Sequence, residues 1–204
     1  MPYHKYISEF LGTFTLTFVV WLSILAGRAV DFPVPLSTPV VATITLGLFV
    51  YTVGGISGAH LNPAVTIGML SARKIKTHDA VMYIVCQLAA AAVAMTIGRF
   101  LSGQVTAVPY ATTISAGFAE AIGAFFLAFG VMSATLQKVP PAAAGLVVGG
   151  SLLLGIYVSF PFSNAILNPA VALGINAFGP MEIIGPIIGA IGGAWARKLL
   201  ETGK

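Results

Sequence analysis

Charge is scarce in this chain. Ten lysines and arginines and six aspartates and glutamates make up 8% of its 204 residues, against roughly 25% in soluble globular domains. With 57% hydrophobic residues and a mean hydropathy of +0.96, that shortage excludes a water-facing surface over most of the chain. Cysteine is nearly absent as well: Cys86 stands alone, which excludes an internal disulfide and a cysteine metal cluster. Lying inside an apolar segment, it reads as a helix-packing thiol. No Ser–His–Asp or Cys–His arrangement and no phosphate-cradling glycine loop is present, so the chain reads as no enzyme and calls for no cofactor. The net charge of +4 and pI near 9.4 come from basic residues scattered through short loops. They form no stripe, which argues against a nucleic-acid partner.

What is abundant is apolar sequence near the ~20 residues that cross ~30 Å of hydrocarbon as a helix. Six spans are predicted, at about 6–26, 36–55, 78–101, 111–136, 142–161 and 180–200. The first exceeds the usual apolar core of a signal peptide and has no clear cleavage site after it, so it is kept as a membrane helix. Two further apolar stretches, about 62–71 and 168–177, are too short to cross. With a cytoplasmic N-terminus, Lys5, Arg73, Lys74, Lys76, Lys138, Arg197, Lys198 and Lys204 fall inside and Arg28 and Arg99 outside, which obeys the positive-inside bias. An even number of spans then places both termini in the cytoplasm of a cell (inner) membrane. Residues 31–39 form a proline-rich outer loop.

The chain also repeats itself. SEFLGTFTLTFVV at 8–20 is similar to AEAIGAFFLAFGV at 119–131, and SGAHLNPAVTIG at 57–68 returns as SNAILNPAVALG at 163–174. A single domain, 1–204, therefore holds two repeats, about 1–105 and 106–204. Three spans per repeat is an odd number, so the second copy is inverted in the membrane, a design that brings interrupted helices together near the midplane.

Each Asn-Pro-Ala has a local logic. Proline suits the first helical turn, where its missing N–H would have had no partner, and asparagine is a preferred N-cap. Two such boxes, Asn62-Pro63-Ala64 and Asn168-Pro169-Ala170, open two half-helices that enter from opposite faces and meet. Irregular backbone at membrane depth is tolerated where it is buried in protein or lines a water-filled cavity. The carbonyls of Gly58, Ala59, His60 and Leu61, and of Asn164, Ala165, Ile166 and Leu167, are therefore expected in extended chain along a pore. The facing helix ends, each worth about +0.5 charge, repel cations, and the Asn62 and Asn168 amides donate to a passing solute oxygen. His60 is read as loop packing, with His4 and His78 distant in sequence and no metal expected.

These residues identify the chain as resembling the aquaporin family, the major intrinsic proteins, over essentially its whole length. The resemblance implies an all-α membrane protein with six transmembrane helices plus two re-entrant half-helices, one pore per protomer, and assembly in the lipid as a homotetramer. It implies that Glu9 and Glu120, carboxyls within apolar spans, accept hydrogen bonds from N–H groups of the re-entrant loops. A proton relay is the alternative, but no further acidic residue lines up with either.

The resemblance also marks a departure. Most aquaporins carry arginine after the second Asn-Pro-Ala, and here Val171 follows it. By the family's spacing the other constriction positions fall at Ala42, Ile156 and Ala165. Valine supplies neither arginine's donors nor its charge, so the selectivity filter is expected to be an apolar ring, wider but prone to dewetting. Some bacterial relatives with valine there are associated with arsenic resistance. The expected function is a passive channel for small neutral solutes: water, glycerol-like polyols, and neutral metalloid hydroxides such as arsenite or its methylated forms. The alternatives are a water-selective aquaporin, an ion-coupled carrier, which intramembrane charge pairs do not support, and a scaffold that no longer conducts.

Overall fold

The computed structural model of the chain describes residues 3–28, 37–105 and 108–202. Lys204 and most of the 31–39 segment lie outside the described residues. Those residues form eight helices and no strand: α1 (His4–Arg28), α2 (Thr38–Ser57), α3 (Pro63–Ser71), α4 (Thr77–Ser102), α5 (Ile114–Thr135), α6 (Pro141–Ser159), α7 (Pro169–Gly174) and α8 (Pro180–Thr202). Six of them, α1, α2, α4, α5, α6 and α8, are long and apolar enough to span a membrane. The chain is thus an all-α integral membrane protein with two short helices set among six spans.

Proline opens α2, α3, α6, α7 and α8, where its fixed φ is already helical. The half-helices are stopped by one shared device. After α3, Arg73 takes φ +60°, and the N–H groups of Lys74 and Arg73 return to the carbonyls of Met69 and Leu70. After α7, Asn176 takes φ +62°, and Ala177 and Asn176 return to Ala172 and Leu173. These are Schellman closures. The second one falls early, so α7 has only six residues, under two turns, and stops short of the 168–177 expected from hydropathy.

Packing follows the repeat. α1 lies along α4 and α5 along α8, α2 meets α6 at the junction of the halves, and each half-helix rests on the third span of the opposite repeat, α3 on α8 and α7 on α4. Small residues permit this approach. A carbon placed on Gly68 of α3 would sit 2.7 Å from the Ala190 carbonyl oxygen of α8, and one on Gly174 of α7 would sit 3.2 Å from that of Ala91 in α4. Gly185 in the last span is equally tight, with such a carbon 2.5 Å from the Gly117 oxygen, whereas Gly150 in the glycine-rich stretch of α6 faces open space.

The core gathers Trp21, Leu61, Met69, Met132 and Leu167 at the centre. Large apolar side chains such as Ile44, Phe118, Leu146, Tyr157 and Ile188 face outward, as suits a protein solvated by lipid. At one end of the molecule the basic residues tie helix termini together. Lys5 Nζ lies 2.7 Å from Asp79 Oδ2, Lys138 Nζ lies 3.0 Å from Glu201 Oε1, and Arg197 Nε donates to Ser133 Oγ at 3.0 Å. Lys198 Nζ donates to the Ala72 carbonyl at 2.9 Å, placing a cation at the electronegative end of α3.

Candidate pore and constriction

The two Asn-Pro-Ala boxes meet. Asn62 Oδ1 accepts the Ala64 and Val65 N–H groups at 2.8 and 3.5 Å, and Asn168 Oδ1 accepts those of Ala170 and Val171 at 3.0 and 3.4 Å. Each asparagine caps its own half-helix with its oxygen and crosses to the other repeat with its nitrogen. Asn62 Nδ2 donates to the Leu167 carbonyl, and Asn168 Nδ2 to the Leu61 carbonyl, both at 2.9 Å. An amide NH₂ carries two hydrogens, so this reciprocal bond takes one from each asparagine and leaves one for a passing molecule.

The loops ahead of the half-helices differ from the extended chain expected. Ala59 and Leu61 take φ +48° and +50°, and their repeat partners Ala165 and Leu167 take φ +51° and +57°. Alternation of this kind turns successive N–H groups to one side, a nest for an acceptor. Glu9 fills the first nest: Oε1 accepts His60 N–H at 3.0 Å and Oε2 accepts Leu61 N–H at 2.7 Å. Glu120 fills the second with Ile166 N–H at 3.1 Å and Leu167 N–H at 2.7 Å. Because a trans peptide sets its C=O opposite its N–H, the carbonyls of Ala59, His60, Ala165 and Ile166 point away from the glutamates. Of the eight residues whose carbonyls were expected along a pore, His60, Leu61, Asn164, Ala165 and Ile166 line the cavity between the repeats. Gly58 lines a second cavity, with Val50, Tyr51, Val131 and Val148, Ala59 and Leu167 line neither, and the Leu61 and Leu167 carbonyls are engaged by the asparagines.

That cavity has a volume of about 290 Å³. Its wall contains Asn62 and Asn168 together with Ala42, Ile156, Ala165 and Val171, so four residues from three separated stretches converge on one cavity. Each is buried from the outer surface. His60 is accounted for by packing: Nδ1 lies 3.2 Å from Thr66 Oγ1 and the ring stands edge-on to Tyr83 at 5.4 Å.

Four supporting residues, Ser57, Tyr83, Gln87 and Glu182, were passed over in the sequence. Glu9 also accepts from Ser57 Oγ at 2.7 Å and from Gln87 Nε2 at 2.8 Å, and Tyr83 donates to the Ser57 carbonyl at 2.8 Å. Glu182 is a third fully buried carboxyl, and it lies on the helix packed against α5, which carries Glu120. A carbon on Gly185, one turn away, would sit 2.9 Å from Glu120 Cβ. Gln87 and Glu182 each stand as a polar side chain in an apolar run, the same signal that singles out Glu9.

Known proteins agree with this architecture. The family model for the major intrinsic proteins matches residues 2–197. Nodulin-26 of Glycine max is 34% identical over 217 residues, covering 97% of this chain and 78% of that protein. Aquaporin NIP1-4 of Oryza sativa subsp. japonica is 35% identical over 211 residues, covering 96% and 76%. Among solved structures, the aquaglyceroporin from Plasmodium falciparum superposes over the full length of both chains with a TM-score of 0.73 at 22% identity, a likeness of fold. The chain belongs to the major intrinsic proteins, a family of passive aquaporin and aquaglyceroporin channels and not of enzymes.

Proposed function

We propose that the chain conducts small uncharged solutes through the passage between its repeats, with Ala42, Ile156, Ala165 and Val171 as a wide, apolar selectivity filter. The observation that carries this reading is the convergence of those four side chains on the same cavity as Asn62 and Asn168. Two alanines, a valine and an isoleucine leave the ring without a charge or a side-chain donor. Solutes bulkier than water, such as glycerol, urea and neutral metalloid hydroxides, therefore gain relative to water. Neutral arsenous acid and methylated arsenicals belong to this cargo by the resemblance that Val171 carries. The lone remaining N–H of each central asparagine and the carbonyls opposite Glu9 and Glu120 supply the polar path.

Cation exclusion then rests on the facing ends of α3 and α7, since no formal charge stands in the ring. The cluster of Lys5, Lys138, Arg197 and Lys198 at one end supports a cytoplasmic location for both termini in a cell (inner) membrane. The outward apolar surface supports residence in lipid, and the family resemblance supports assembly as a homotetramer.

Stopped-flow swelling of proteoliposomes tests the reading. Glycerol, urea and arsenous acid are expected to enter faster than into empty vesicles, with flux linear in the gradient. Val171→Arg is expected to reduce their uptake and raise the share of water. Water flux without any of these solutes would leave a water-selective channel, and no flux at all would leave a scaffold.

A further inference from the structure

The ring has no side-chain hydrogen-bonding group, yet its rim holds one that the channel reading has not used. Asn164 is half-buried on the cavity wall next to Ala165. Its Nδ2 donates to the Pro109 carbonyl at 2.8 Å and to Glu182 Oε1 at 3.2 Å. A carbonyl can only accept, and Glu182 Oε1 is already accepting the Ala111 N–H. Both partners therefore require the nitrogen on their side, which fixes which end of the amide is N and leaves Oδ1 bonded to neither of them. Among the described residues no group donates to it.

The other polar side chains of the wall are engaged. Thr38 shares a hydrogen bond with Ser23 at 2.7 Å, Ser163 donates to the Ser159 carbonyl at 3.3 Å, and His60 is turned to Thr66. Asn62 and Asn168 lie deeper, at the junction of the half-helices. The feature is also one-sided: the first repeat has Gly58 at the matching position, with φ +89°, so only the Val171 side of the passage carries the amide. Glu182 is wholly buried, and its Oε2 has no hydrogen-bond partner among the described residues. Burying such a group is costly unless it is hydrogen-bonded, and among the described residues its one side-chain hydrogen bond comes from Asn164.

We infer that Asn164, oriented by Glu182, is the polar specificity residue at the Val171-side mouth, where its amide oxygen accepts hydrogen bonds from solutes bearing O–H or N–H groups as they meet the apolar ring. This rests on the channel reading and names the solute class that the ring favours: neutral molecules rich in donors. Asn164 touches the solute, and Glu182 is a positioning residue that acts through it.

The test is the ratio of urea to water permeability, measured on the full chain in the same proteoliposome preparation. Asn164→Leu, close in size but without the amide, lowers that ratio roughly three- to tenfold, the worth of about one hydrogen bond. Asn164→Gly, the residue that the first repeat uses, lowers it equally and decides the matter if the leucine variant does not fold. Glu182→Leu lowers the ratio in the same direction, while Glu182→Gln, whose side-chain oxygen still accepts, recovers most of it. Ratios for both Asn164 variants within about twofold of the unsubstituted protein, with urea still entering, overturn this inference and leave the channel reading intact. Equal ratios in the two Glu182 variants overturn the positioning role. No urea uptake by the unsubstituted protein overturns both readings together.

Discussion

Val171 and Glu9 show two ways in which a single residue sets the character of this passage. At Val171 the residue that follows the second Asn-Pro-Ala ends in an isopropyl group, which brings neither a charge nor a side-chain donor to the cavity wall. At Glu9 a carboxyl takes four hydrogen bonds, two from the backbone of the first re-entrant loop and two from Ser57 and Gln87, so one side chain holds a whole turn of irregular backbone. Each donor left buried without a partner costs about 1–3 kcal/mol. Glu9→Gln, which keeps one accepting oxygen, is expected to lower unfolding stability in detergent by about that amount, and Glu9→Leu by a multiple of it. A Glu9→Leu protein as stable as the unsubstituted chain would remove the anchor from the account. The carboxyls at positions 9 and 120 were visible as charges in apolar runs. The left-handed backbone at Ala59, Leu61, Ala165 and Leu167 was not, because alanine and leucine do not favour positive φ and adopt it here through the distant glutamates. Neither could sequence show that each central asparagine spends one hydrogen on the opposite repeat.

At the scale of elements, the short helices matter more than the long ones. Six apolar runs and two proline-opened stretches were enough to lay out the spans, since length and hydropathy decide what crosses a bilayer. The end of α7 lay beyond that signal. Ile175 and Ala177 extend the apolar stretch around Asn176, and the helix stops earlier because Asn176 takes the left-handed turn that closes it. How the half-helices seat depends on glycine. In α3, Gly68 lets the helix rest against the Ala190 backbone, which cannot move aside as a flexible side chain would. Gly68→Ala is therefore expected to destabilise the fold by about 1–3 kcal/mol. Gly150→Ala, in open space on α6, is expected to be neutral or to stabilise by up to about 1 kcal/mol through helix propensity. Thermal unfolding of the two variants in the same detergent checks the contrast, and equal shifts would contradict the packing assigned to α3.

Across the whole molecule, inversion of one half against the other turns two short motifs into one conduit. Each half-helix alone would leave unpaired backbone in hydrocarbon. Together they cross-bond through Asn62 and Asn168, lean on the opposite repeat, and enclose a cavity whose wall is drawn from both halves. The repeat was legible because LNPAV occurs twice and an odd number of spans forces inversion. Glu182 and its hold on Asn164 were not, because that contact joins α8 to a loop of the same repeat, and the first repeat, with Gly58 in place of Asn164, has no matching side chain to receive it. The central claim is that solute moves through the cavity bounded by Val171, and cysteine reactivity tests it most directly. In a Cys86→Ser background, Val171→Cys and the lipid-facing Ile188→Cys are each reconstituted and treated with a membrane-impermeant thiol reagent while flux is recorded. The account predicts that modification at position 171 abolishes most of the water and glycerol flux and that modification at position 188 leaves it unchanged. Undiminished flux through protein fully labelled at position 171 would contradict it.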